Sequence, residues 1–203
     1  MPELRQHFRS IVLPLAGETV EGTLWQEIAE AHSGPSRHYH TLDHLDHIHR
    51  VLASIENVED RQALVIATAY HDLVQQMLRN DDEEQSAKLM RARMAAIGVP
   101  AATIDRAERH ILATRDHLPT HDRDTDLFTD ADLSILGTTP GEYARYADQV
   151  RAEYASVPDL IYNAGRRKVL KHFLQLPLIF KSPEFSDLVF TAKRNIQWEL
   201  DRL

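Results

Sequence analysis

Apolar side chains recur along most of the chain at intervals of three and four, the spacing that lays a stripe along one face of an α-helix. The strict alternation of a half-buried strand is nearly absent. The spacing predicts helices over about 19–32, 41–56, 60–78, 82–97, 103–114, 130–136, 140–156, 159–175 and 184–202. Leu64, Val65 and Ile66 form the β-branched run, and they sit inside a helical period that continues through Ala69, Tyr70, Leu73 and Val74. Tyr143, Tyr146, Ala147, Val150 and Tyr154 fall at i, i+3, i+4, i+7 and i+11, a packing stripe rather than a cofactor box. Ser182-Pro183-Glu184 reads as an N-cap with proline at the first helical position, Gly98 with Pro100 as a stop, and Asn80 with Glu83 as a capping box. An all-α protein follows. With 203 residues, no internal repeat and no long Pro/Gly/Ser linker, one domain spanning 1–203 is expected.

Composition narrows the chemistry. An apolar fraction of 43% is enough for an ordinary core, and the absence of cysteine removes disulfides, thiol catalysis and thiolate-bound metal. Any metal must sit on imidazole and carboxylate, ligands that suit Mn, Fe, Co, Ni, Zn or Mg. A net charge of −8, with no basic run to offset it, argues against a nucleic-acid polymer or an anionic membrane as partner. The apolar stretch Ile11 to Ala16, broken by Pro14, is too short for a signal segment or a membrane span, so a cytoplasmic location is expected. Histidine stands out: five of the 12, His38, His40, His44, His47 and His49, lie within one short segment. A solvated helix face with polar decoration is the plain alternative to a site there.

Three segments carry candidate chemistry: Arg37 to His47, Ala69 to Asp72, and Thr129 to Leu133. His71 and Asp72 follow the apolar run Leu64 to Ala69 and are expected mid-helix, where an ionised carboxylate is costly unless paired or bound to a cation. Adjacent helical residues point about 100° apart, so further ligands must come from other helices. His40, His44 and His47 follow i, i+4, i+7, although Thr41 is also a natural N-cap that would leave His40 outside the helix. The HxxxH pair His40/His44 lacks the Glu that a zinc-peptidase helix needs after its first His. No nucleophile elbow and no glycine-rich phosphate loop is present.

Taken in order, these segments resemble the H…HD…D signature of the HD-domain metal-dependent phosphohydrolases: His44, then His71-Asp72, then Asp132. The chain is similar to an uncharacterised branch of that family. The likeness runs through R-x-YH-x-x-x-H (Arg37 to His44), HD, an NE-x-x-SA stretch (Asp82 to Ala87) and DADL-x-ILG (Asp130 to Gly137). R-x-EY (Arg151 to Tyr154) and GR (Gly165-Arg166) follow, so the likeness covers roughly residues 25 to 200. Two departures stand out. Gln75-Gln76 occupies the place where members often carry Tyr-Asp, which removes a candidate acid near the metal, and Asp82 replaces the usual Asn.

The resemblance implies an HD-type helical bundle with His44, His71, Asp72 and Asp132 holding a divalent ion. The implied reaction is hydrolysis of a phosphate ester of a small molecule, a nucleotide foremost, by a metal-activated water. His40, His110 and His117 are candidates for substrate contact, a second metal or proton transfer, or are structural histidines. Glu83 could accept a proton or orient water, yet a helix start favours negative charge in any case. Arg37, Arg115, Arg151 and Arg166 could clamp phosphate, since an acidic protein handling an anion needs local positive charge. Arg151 and Glu153 could instead be structural ions, and Arg167, Lys168 and Lys171 read as a solvated face. Asp132 shares a helical face with Ile135 and Leu136 and is expected to turn inward, with Asp130 as an N-cap. A diiron oxygenase and a non-catalytic metal-binding regulatory module are the rival readings, and a homo-oligomer is compatible with all three.

Overall fold

The computed structural model describes residues 2–76 and 81–203. Among the described residues, nine α-helices and two short 3-10 helices make up the regular structure, and no strand occurs. The all-α expectation therefore holds. Contacts group the chain into two compact units, Met1–Asp116 and His117–Leu203.

The N-terminal unit holds α1 (Glu3–Ala31), α2 (Leu42–Ala53), α3 (Arg61–Tyr70), α4 (Asp82–Ala96) and α5 (Ala101–Ala113). The apolar period predicts a first helix only from 19, but α1 begins at Glu3 because Leu4, Phe8, Ile11 and Val12 form a buried stripe of their own. Pro14 and Gly17 obscure it. Gly17 adopts φ 78° and breaks α1 into two helical arms, a conformation that costs a side-chain-bearing residue and suits glycine.

α3 is the centre of this unit. Every residue from Ala63 to Tyr70 is buried, and α1, α2, α4 and α5 all pack on it. The Asp60 carboxylate accepts the Ala63 N–H and starts the helix. Its expected end near 78 is corrected: α3 stops at Tyr70, which places His71 at the C-cap and Asp72 in the turn beyond rather than mid-helix. Residues 77 and 78 of that expected helix, and Asn80 of the expected capping box, lie outside the described residues. α4 ends as its Gly98 signal predicts. Gly98 takes φ 81° and the Val99 N–H reaches back to the Met94 carbonyl at 3.0 Å.

The C-terminal unit holds α6 (Arg123–Leu133), a 3-10 turn at Ser134–Gly137, α7 (Pro140–Glu153), α8 (Asp159–Gln175), a second 3-10 segment at Pro183–Leu188, and α9 (Val189–Leu200). α6 starts well before the expected 130, because Asp122 caps it through the Thr125 N–H and its first turn is too polar to show a stripe. α7 begins with a complete Thr139/Glu142 capping box, with Pro140 in the first turn, and buries Tyr143, Tyr146 and Val150. Gly137 is required by packing: a Cβ there would lie 2.5 Å from the Leu188 Cβ. No described helix is long and apolar enough to cross a membrane.

Candidate metal centre

In the N-terminal unit, three imidazoles converge on one carboxylate oxygen. Nε2 of His71 lies 3.0 Å from Oδ2 of Asp72, Nε2 of His44 lies 3.5 Å from it, and Nε2 of His40 lies 4.0 Å from it. His44 comes from the first turn of α2, and its ring packs against Tyr39 and His71. His40 precedes α2, outside the helix. Thr41 occupies the N-cap with extended backbone but makes no side-chain cap bond.

The tautomer of His71 is fixed by its other nitrogen. Nδ1 lies 3.1 Å from the Thr68 carbonyl, which can only accept, so Nδ1 carries the hydrogen. In the neutral ring the lone pair is then on Nε2 and faces a carboxylate oxygen. Two electron-rich atoms 3.0 Å apart require a cation between or beside them, either a proton or a metal ion. The spacing accommodates either. With ligand bonds of about 2.0–2.2 Å, atoms at neighbouring positions on one ion are roughly 2.9–3.4 Å apart. His71 and His44 meet Asp72 near this range, and His40 stands outside it. Where a proton is the shared cation, burial acts to raise the Asp72 carboxyl, but the imidazoles of His71 and His40, with hydrogen bonds from His44 and His71, hold it well below the usual carboxylate range.

The turn carrying Asp72 is held by side chains rather than by a helical ladder. Nη2 of Arg37 donates to the Asp72 carbonyl at 2.8 Å and lies 3.5 Å from the Leu73 carbonyl, while Nη1 lies 3.5 Å from the His40 carbonyl. The Val74 N–H donates to the buried Ser86 hydroxyl at 3.0 Å, and the Gln76 N–H to Asp82 at 2.9 Å. Gln75, in the place of the Tyr that precedes the missing acid, meets Nδ1 of His40 at 3.2 Å. Glu83 lies in the first turn of α4, 4.0 Å from the Arg115 guanidinium, and Arg115 also pairs with Glu84. His110 is fully buried in the last turn of α5.

In the C-terminal unit, Asp132 lies near the end of α6 with its Oδ2 3.7 Å from Nε2 of His117. Burial pushes the His117 imidazole down to about 4, against the pull of Asp132, so that ring is neutral near pH 7. The N-cap expectation for Asp130 is corrected, because Asp122 caps α6 and Asp130 sits fully buried inside the helix. It pairs with Lys181 Nζ at 2.9 Å and accepts the backbone N–H groups of Lys181 and Ser182. Arg166 forms a bidentate pair with Glu199 (2.7 and 3.1 Å), which also accepts the Tyr143 hydroxyl. Arg151 bonds the Tyr154 carbonyl and Asp159, and it stacks over Tyr162. These two guanidiniums are engaged within the unit's own framework.

Sequence reasoning passed over Lys181 and His32, and it met Ser86 only as part of the NE-x-x-SA stretch, without a role. His32 is 1% exposed at the C-cap of α1, donates Nδ1–H to the Ile28 carbonyl, and is pushed down to about 4 by burial. Its spacing after Leu24 and Ile28 in the buried stripe was the available signal. No protein-family model matches the chain, and no curated protein or solved structure does so either.

Proposed function

We propose that the chain is a metal-dependent phosphohydrolase of the HD type, acting on a small phosphorylated molecule with nucleotides as the leading class. His44, His71, Asp72 and Asp132 are the proposed ligands. His44, His71 and Asp132 are of types that a divalent ion takes, the first two buried and the third half-buried. The observation that carries the reading is the shared Asp72 oxygen, faced by a histidine whose tautomer presents a lone pair. The place of Asp132 rests on the DADL resemblance.

A bound divalent ion supplies Lewis acidity, acidifying water and offsetting charge on a phosphoryl group. The chain's own residues do the rest. Thr68 fixes the His71 ring through its carbonyl, and Asp72 supplies anionic charge that favours a divalent cation over a neutral guest. Of the three imidazoles, His40 is the one open to a ligand from solvent, at 25% side-chain exposure against 2% for His44 and 1% for His71. It is the proposed contact to substrate.

The test is phosphate release from a panel of phosphomonoesters and nucleotides, after chelation and with Mn, Co, Ni or Mg restored. Release from at least one compound, lost with chelator, is expected. Oxygen uptake without phosphate release would replace this reading with an oxygenase, and bound metal with neither activity would replace it with a regulatory module.

A further inference from the structure

We infer that Arg37 is a positioning residue for the metal centre, a backbone clip that registers the segment bearing His40 and His44 against the turn bearing Asp72. The inference rests on the metal reading above and assigns Arg37 a task other than phosphate binding.

Past Tyr70 the backbone leaves the helix, so its carbonyls lose their helical partners and need others. Arg37 supplies them. One guanidinium nitrogen serves the carbonyls of Asp72 and Leu73, and the other reaches the His40 carbonyl. A planar fork with fixed donors spans two backbone segments in a way a single ammonium cannot. Its charge also lies where the α3 macrodipole leaves negative potential. The buried Ser86 hydroxyl in turn takes the Val74 N–H. The turn from His71 to Val74 is therefore held at its carbonyls by Arg37 and at its amide by Ser86, and Asp72 lies within the stretch so held. A shift of a few tenths of an ångström there would move the carboxylate oxygen that His44 and His71 face.

The test is Co(II) titration of the full-length protein, followed by the visible absorption bands of the ion, for wild type, Arg37→Gln, Arg37→Lys and Ser86→Ala. Apo melting temperature and the affinity of the Co(II)-loaded protein for inorganic phosphate are measured beside it. Arg37→Gln is expected to bind Co(II) about 10–100-fold more weakly, Arg37→Lys to recover part of the loss, and Ser86→Ala to shift in the same direction. Apo melting and phosphate affinity should change little. Unchanged Co(II) binding in Arg37→Gln with phosphate affinity lost would overturn the inference in favour of a phosphate clamp. Should Arg37→Gln fail to fold, Arg37→Lys and Ser86→Ala decide, and wild-type Co(II) affinity in both overturns it. Wild type that binds no Co(II) overturns the metal reading itself and this inference with it.

Discussion

His71 and Asp72 are neighbours in the chain, yet their side chains meet, Nε2 to Oδ2 at 3.0 Å. Inside a continuous helix two such residues diverge by about 100°. They meet because α3 stops at Tyr70 and Asp72 belongs to the turn that follows. The end of a buried helix thus delivers an imidazole and a carboxylate to one point, beside His44 from α2.

Purified protein should hold close to one divalent ion per chain, and Asp72→Ala or His71→Ala should lose most of it. Metal at a hundred times its Kd should stabilise wild type by about 2.7 kcal/mol, an increment absent from both variants. Elemental analysis with melting curves before and after chelation measures this. Full occupancy in Asp72→Ala would remove the assignment.

Asp132→Asn and Asp130→Asn should separate along different axes. Asp130 neutralises Lys181 in a place where both side chains are essentially inaccessible. Replacing it by an amide leaves a buried ammonium uncompensated, at a cost of about 3–5 kcal/mol. Asp132→Asn should instead keep its apo stability and lose metal and turnover. Urea unfolding and metal content distinguish the two, and the reverse ranking would mean that the wrong aspartate has been assigned to the metal.

Arg166→Ala should behave as a stability variant. Its partner Glu199 is buried and bound through both oxygens, so removing the guanidinium strands a carboxylate. About 3–5 kcal/mol of unfolding free energy should be lost, with KM for any substrate unchanged in the protein that remains folded. A raised KM at wild-type stability would restore Arg166 as a phosphate contact.

Acid should unfold the N-terminal unit through its buried histidines. Burial pushes His32 and His49 each down to about 4 from an ordinary 6.5. Between those values the unfolded chain binds a proton that the native ring does not, so stability falls as pH drops below about 6.5 and changes little above it. Each ring contributes a slope of about 1.4 kcal/mol per pH unit in that window. Denaturant unfolding at a series of pH values, for wild type and His32→Gln, should show the slope reduced by one proton. An unchanged slope would exclude His32 as a source.

The helical class and the stop at Gly98 were legible in the sequence, because period and cap chemistry act over a few residues; the start expected at Ser182-Pro183 opens only a short 3-10 segment, with α9 following from Val189. The residue types able to hold a metal without cysteine were legible for the same reason. The first arm of α1 was hidden by Pro14 and Gly17, and the start of α6 by a polar first turn. Where α3 ends was not readable. No glycine or proline marks Tyr70, and the helix stops because carbonyls beyond it are taken by Arg37 and an amide by Ser86. The partners that decide what Asp130 and Arg166 do, Lys181 and Glu199, also lie far along the chain. Local sequence therefore determined which groups could ionise, cap or ligate. Only tertiary packing decided which of them meet, since a buried charge takes its state from its nearest partner and the fold alone brings that partner within about 3 Å.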